Sequence, residues 1–495
     1  MYPRIQDAGH YSPFHTIPFF WAGGAQAWAA LTCPLRLWLR NPLGSCVYSS
    51  FGCGFTDRPR APLRIGLMLK RVPGTSDIFA QAKDYPFREP VFRYITTTAE
   101  EVLRGAGAQM VHTPIFEYLE VFQKGVGLTS DIVVKKEMYV LEDRGGRLLA
   151  LRPEPTAAIV RAYNEHGMKV WPQPVRLFTW GPIFRGERQQ KGRYKQFHQI
   201  DYEALGLSDP LLDAEAIALM VRIYKTLGLK HLEVKLGSVG DPEDRLRYNQ
   251  YLRALFAPYA QELSEDSRVR IETNPMRILD SKSERDQKII AELQPRPMLE
   301  FLGPEAQAFH EQVCRYLEAL GIPFSIDPSM VRGLDYYVRT AWEVHHASIG
   351  AKSALGGGGR YDGLSEMLGG PPVPGVGFGI GIERVGIALE QEGLRIPADP
   401  SPTLYLAPLD EAAKIEALVL AEQLRPKIYV EIGYTPKSPR KALEDALKKG
   451  ARYVGFLGET ERAKGVVTLK HLESGEQKTL EPLQLHSLFE GPEPK

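Results

Sequence analysis

Phe184-Arg-Gly-Glu-Arg-Gln-Gln-Lys-Gly-Arg-Tyr-Lys-Gln-Phe-His-Gln199 carries the reading that decides the fold. Arg185, Arg188, Lys191, Arg193 and Lys195 stand in it against one acid, Glu187. Residues 175–185 have the apolar, alternating pattern of a strand, and residues 197–205 read as its antiparallel return. The cations then fall in the connecting loop. Arginine forks match phosphate oxygens in pairs, so an exposed basic hairpin suits a phosphate-rich ligand. Composition alone equally allows a solvated charged loop.

Upstream of this hairpin, residues 85–103 have helical periodicity leading into Gly105-Ala-Gly107. Residues 109–114 read as a strand ended by proline, 147–152 as a second short strand and 156–165 as a helix. Downstream, 211–227 is an amphipathic helix. Charged helical periods then dominate, broken at Asn274-Pro275, and predict a helical insertion over about 241–318. Strand patterns return over 330–346 and 376–381. Residues 391–403 hold three prolines and few apolar anchors, which reads as a linker. Beyond it, strands at 404–408, 428–432 and 453–457 alternate with helices at 411–424 and 439–449. That alternation predicts a small α/β domain over 401–490.

Two further segments could carry chemistry. Met330-Val-Arg-Gly-Leu-Asp-Tyr-Tyr337 is followed by Thr340 and Glu343. Gly356-Gly-Gly-Gly-Arg-Tyr-Asp-Gly363 and Gly375-Val-Gly-Phe-Gly-Ile-Gly-Ile-Glu-Arg384 are glycine-dense. Glycine at alternate strand positions lets a ligand or another backbone approach closely. Neither run opens a helix as a dinucleotide fingerprint must, and the chain contains no G-x-x-x-x-G-K-[ST] phosphate loop. Taken singly, each fits tight strand packing as well as a binding site.

Bulk properties exclude several classes. The chain has 495 residues, 43% hydrophobic and 24% charged, with a net charge of +1. These are the values of a folded protein with a core and no global basic field. No apolar run of about 18 residues indicates a membrane span. Only four cysteines occur, which excludes a disulfide scaffold and points to a reducing, cytoplasmic setting. The C-x6-C spacing of Cys46 and Cys53, with Cys33 upstream, matches no common zinc pattern, and no metal ligands are read. Residues 1–67 differ from the rest, with no lysine and only two acids, Asp7 and Asp57. A transit peptide, a secretory signal, or a stretch foreign to a folded protein that starts at Met68 are the three readings. The abrupt change in composition at Met68 favours the third.

Together the segments are more specific than any one. Arg185 near the end of one strand, Arg332 on a second and Arg384 after a third resemble the signature of class II aminoacyl-tRNA synthetases. Arg332-Gly-Leu-Asp-Tyr-Tyr337 resembles the stretch specific to the histidyl-tRNA synthetase family, of bacterial type. The resemblance covers about residues 68–490. It takes in Pro114, Asp131, Lys136-Glu-Met-Tyr139, Leu151-Arg-Pro-Glu154, Thr156 and Asn274-Pro-Met-Arg-Ile-Leu-Asp280. Pro155 stands where the family usually has glycine, and Gln189 where it usually has proline.

The resemblance implies an α+β fold. A class II antiparallel sheet flanked by helices would fill 68–400, with the insertion inside it, and an anticodon-binding domain would follow. It implies ATP-dependent activation of L-histidine and transfer to tRNA(His), with Mg²⁺, in a homodimer built around Pro114. Arg185 would hold the α-phosphate, Arg193 the outer phosphates, and Arg384 and Phe197 the two faces of the adenine. Arg332 would contact the carboxylate and α-phosphate where negative charge gathers. Glu203 and the Tyr337 hydroxyl would meet the two imidazole nitrogens, beside Tyr336. Glu154, Thr156 and Gln199 would meet the amino and carboxylate ends. Gln190 and Lys195 would touch the acceptor end of the tRNA, and Lys437, Arg440 and Lys441 the anticodon.

Overall fold

Alternation of apolar and polar residues sets the strands between 109 and 381. They are β1 (Gln109–Met110), β2 (Phe116–Tyr118), β3 (Val140–Glu142), β4 (Leu148–Leu151), β5 (Val175–Phe184), β6 (Gln196–Leu205), β7 (Leu232–Ser238), β8 (Phe324–Ile326), β9 (Val338–His346), β10 (Ala354–Arg360) and β11 (Gly375–Gly381). The computed structural model describes residues 69–127, 137–186, 193–330, 336–347, 354–397 and 401–489. Arg332, Gln190, Arg188, Lys191, Asp131 and the three N-terminal cysteines lie outside the described residues.

Eight strands form one sheet in the order β1-β5-β6-β11-β10-β9-β7-β8. Its pairings are antiparallel except β1 with β5 and β7 with β8. Since side chains alternate between faces, register decides which residues meet. One row across the sheet reads Thr179, Asp201, Gly379, Gly357, Glu343, Lys235. The next reads Leu177, Glu203, Gly377, Gly359, Ala341, Gly237. The opposite face carries Phe178, Ile200, Tyr202, Val376, Phe378, Trp342 and Val344. It packs with buried residues of helices Glu89–Gly105, Pro210–Thr226, Pro304–Ala319 and Ile382–Gln391.

Local chemistry starts these helices. Asp209 caps the second, accepting from the Leu211 N–H at 2.8 Å, with Pro210 at its first position. Asp241 and Asp244 form a capping box at the head of Pro242–Phe256. Asn274-Pro275 breaks the helical run, as the sequence suggests, into a short 3₁₀ turn, Pro275–Ile278. The insertion does not stand apart. Leu252, Phe256, Met276 and Ile278 share one apolar cluster with Tyr336, Tyr337 and Tyr361. Helix Pro304–Ala319 lies against Pro210–Thr226, with Phe309, Val313 and Leu317 in the main core.

Several expected elements are shorter. The strand at 109–114 keeps only β1, and among the described residues of the strand expected over 330–346, strand geometry spans Val338–His346. The helix expected at 411 starts at Ala413, and the Asp410 side chain accepts the Ala413 N–H at 2.9 Å. The terminal domain holds β12 (Leu404–Pro408), β13 (Val430–Ile432), β14 (Tyr453–Leu457), β15 (Val467–His471) and β16 (Gln477–Leu480), in the order β13-β12-β14-β15-β16. Leu404 and Leu406 pack on helix Ala413–Leu424, while Tyr405 and Ala407 face helix Pro439–Lys448. Successive residues of one strand thus serve two layers.

Candidate active site

The sheet face left bare by the helices floors a cleft of about 1030 Å³. Glu203, on β6, is 1% exposed. Thr156, which opens helix Thr156–Glu165, donates its hydroxyl to Oε1 at 2.6 Å, and the Tyr361 hydroxyl donates to Oε2. Gly377 lies directly across from it on β11. A Cβ there would collide with the carboxyl group, so the glycine is what lets Glu203 sit flat against the sheet. Burial pushes the Glu203 carboxyl up to about 8. The two hydroxyl bonds pull against that rise, and nearby Glu154 adds to it.

Glu154 and Asp201 complete a buried carboxyl group. Glu154 accepts from the N–H groups of Thr156 and Ala157 at 2.8 and 3.0 Å. It satisfies helix donors that Pro155, at the cap position, cannot. Burial raises its pKa, and those backbone bonds oppose the rise. Asp201 is held well above the usual carboxylate range, first by burial and then by Glu203 and Glu154. Arg152 and Arg185 pull the other way. Asp201 Oδ2 and Gln199 Oε1 are buried without a hydrogen-bond partner among the described residues. An orphaned buried acceptor is costly, so these two atoms are suited to a ligand's donors.

Cations and aromatics occupy the rest of the wall. Arg185 donates Nε–H to the Pro153 carbonyl at 2.9 Å, and its guanidinium lies 5.2 Å over the Phe197 ring. Arg384 donates Nη1–H to the Ala354 carbonyl at 2.7 Å. Arg193 and Tyr194 line the same cleft. Tyr336 packs on Tyr337 at 4.7 Å between ring centroids and edge-on to Tyr361 at 5.6 Å. The insertion contributes Arg270, Arg277 and Lys282 to the lining. Cations, carboxyls and a glycine floor in one cleft can align a phosphate chain beside a small polar molecule.

The histidyl-tRNA synthetase family model matches residues 91–385, and the anticodon binding domain model matches residues 403–490. The chain is 60% identical over 408 residues to a histidine–tRNA ligase of Thermus thermophilus, covering 82% of this chain and 95% of that one. The chain belongs to the histidyl-tRNA synthetase family. A histidine–tRNA ligase of Deinococcus radiodurans is 54% identical over 420 residues, covering 84% of this chain and 98% of the relative. The crystal structure of apo Staphylococcus aureus histidyl-tRNA synthetase superposes with a TM-score of 0.70 at 35% identity, over 85% of this chain and all of that one.

Within this histidyl-tRNA synthetase fold the residues marked by the sequence motifs fall in two places. Glu154, Thr156, Arg185, Arg193, Phe197, Gln199, Glu203, Tyr336, Tyr337 and Arg384 all line the cleft. The guanidinium over Phe197 is that of Arg185. Lys195 holds backbone contacts, donating its N–H to the Gly74 carbonyl and accepting from the Arg185 N–H. Lys437, Arg440 and Lys441 lie at or on helix Pro439–Lys448 of the terminal domain. Lys437 pairs with Asp445, Arg440 lies 3.5 Å from Glu444, and Lys441 is exposed. Asp201 carries no role in the sequence reading, and Tyr361 enters it only as part of the glycine-dense run 356–363, with no role of its own. The alternation Gln199, Asp201, Glu203 puts Asp201 on the cleft face, so a period-2 reading could have found it. Tyr361 reaches Glu203 only through the pairing of β10 and β11, which no local pattern signals.

Proposed function

We propose that this cleft joins L-histidine to ATP and passes the histidyl group to the 3′ end of tRNA(His). In the first step a histidine carboxylate oxygen bonds to the α-phosphorus of ATP, and the bond to the leaving pyrophosphate breaks. In the second, a ribose hydroxyl of the tRNA attacks the adenylate carbonyl and AMP leaves. Neither step needs a protein nucleophile; both need alignment and neutralised charge. The observation that carries this reading is the union, in one cleft, of Arg185, Arg193 and Arg384 with the buried carboxyls around Glu203. Arg332 is assigned by resemblance alone, as the cation at the carboxylate and α-phosphate.

Specificity follows from the same carboxyls. An imidazole N–H directed at Glu203 adds a third donor to a group that already accepts from Thr156 and Tyr361. Tyr337 serves the other ring nitrogen, with Tyr336 packed beside it. The unpartnered oxygens of Gln199 and Asp201 suit the α-ammonium. An amino acid lacking the ring N–H leaves buried groups unpaired, which is the strong form of discrimination. Mg²⁺ enters as part of the substrate, carried on the ATP phosphates, since it keeps several waters and few protein ligands.

The wider setting is proposed on similar grounds. On the three-stranded sheet β2-β4-β3, register puts Phe116, Tyr118, Leu141, Leu149 and Leu151 on one face. Phe116, Tyr118 and Leu141 are exposed, which supports a homodimer joined beside Pro114. Lys437, Arg440 and Lys441 would meet the anticodon loop, with Gln190 and Lys195 at the acceptor end. No helix among the described residues is long and apolar enough to cross a membrane. A reducing cytoplasm is the proposed setting, on the low cysteine count. Charging of a tRNA(His) transcript with labelled histidine tests the reading. Histidine-dependent formation of histidyl-tRNA with release of AMP is expected. Histidine binding without either product would replace it with a regulatory histidine sensor.

A further inference from the structure

Strand β11 ends at Gly381, opposite Gln199, and the chain turns at once into helix Ile382–Gln391. The next donor along β6 is the His198 main-chain N–H, and no strand is left there to receive it. Glu383 takes it instead. Both carboxylate oxygens accept this N–H at 3.0 Å, and Oε1 lies 2.8 Å from the His198 ring Nδ1. Glu383 is 2% exposed. It stands in the first turn of its helix, where unpaired N–H groups favour negative charge. The far side of the imidazole is held by Phe92, edge-on, with centroids 4.8 Å apart. An ionised carboxylate only accepts, so the ring contact calls for the Nδ1–H tautomer.

The neighbours of this pair give it consequence. His198 sits between Phe197 and Gln199, and Glu383 immediately precedes Arg384; those three neighbours line the cleft. We propose that the Glu383–His198 contact is a positioning clamp that fixes the spacing between Phe197 and Arg384 and so sets the width of the ATP adenine slot. Glu383 thereby extends the β6–β11 ladder past the point where the strand must become a helix. The inference rests on the reading that Phe197 and Arg384 flank the adenine.

The test uses the full chain and its Glu383→Ala, Glu383→Gln and His198→Phe variants. ATP and histidine affinities are measured separately by calorimetry, with thermal melts to confirm folding. Losing a buried, charge-assisted acceptor is expected to weaken ATP binding by roughly tenfold or more in Glu383→Ala. Histidine binding should fall much less, because of its contacts on β6 only Gln199 adjoins His198, while Asp201 and Glu203 lie further along the strand. Glu383→Gln keeps an oxygen for the His198 N–H and should recover most of the ATP affinity. His198→Phe keeps that N–H and the packing on Phe92, and should fall between parent and Glu383→Ala. If Glu383→Ala does not fold, the other two variants decide. ATP affinity unchanged in the folded variants would overturn the clamp, as would equal losses for ATP and histidine. A parent that binds ATP but does not activate histidine would sink the proposed function, while the clamp would still be judged on ATP affinity. A parent that binds no ATP would overturn both.

Discussion

The cleft and the terminal domain hold their charges in opposite ways. Around Glu203, three carboxyls are buried within one network, their protons are held tightly, and a glycine floor leaves no room to shift. At helix Pro439–Lys448 the cations are exposed, and Lys437, just before it, and Arg440 meet acids at the surface, Asp445 and Glu444. Buried polar groups are costly to disturb and so fix geometry; exposed pairs contribute little and exchange freely. The contrast fits the proposed division of roles, with specificity for a small molecule in the first region and contact with a large, charged partner in the second.

The severest challenge to that contrast is Gly377→Ala. The added Cβ would meet the Glu203 carboxylate and the Tyr202 carbonyl, neither of which can retreat. Histidine-dependent activation should fall by on the order of a hundredfold or more, given the sensitivity of reacting geometry to such shifts. Full activity would mean that the floor is not rigid. Arg332→Ala tests charge rather than space. A folded protein with adenylate formation reduced by at least roughly a hundredfold is expected, the usual scale for one charge-stabilising donor. Near-parental rates would remove that residue from the mechanism.

Glu203→Gln probes the buried proton. The folded carboxyl, raised to about 8, holds a proton that the unfolded chain releases nearer 4.5. Its contribution to stability is therefore present at low pH and lost as pH rises through about 8. Thermal melts of the ligand-free protein between about pH 6 and 9 should show the midpoint falling with pH, and Glu203→Gln should flatten the slope. Histidine binding should tighten over the same range, as the carboxylate becomes free to accept a new donor. A parent and variant with the same pH profile would contradict the assignment. The smallest effect belongs to Arg440→Ala with Lys441→Ala. Charging of tRNA should drop only several-fold, and by less at high salt, since exposed cations act through phosphate contacts that salt already screens. Histidine activation should not change; a loss there would mean that the terminal helix serves the cleft.

Sequence made some of this legible and hid the rest for physical reasons. The hairpin of β5 and β6 is local, so its strands and basic loop could be read directly. The glycine runs announced close approach, yet not that Glu203 was the group approaching Gly377, because that depends on register between segments far apart in the chain. Tyr361 was hidden for the same reason. Strand β7 is legible in principle, since Leu232, Val234 and Leu236 alternate with Glu233 and Lys235, the period-2 pattern of a strand with one buried face. Helix Pro304–Ala319 looks in sequence like part of the insertion, and only packing reveals Phe309, Val313 and Leu317 in the main core. Asn274-Pro275 breaks its helix as expected, since proline removes a donor wherever it falls.

Pyrophosphate–ATP exchange, run with the purified protein and each of the twenty amino acids in turn, decides whether the buried carboxyl network selects histidine. Exchange with histidine alone is the expected result. Exchange with several amino acids, or with none while histidine still binds, would contradict it.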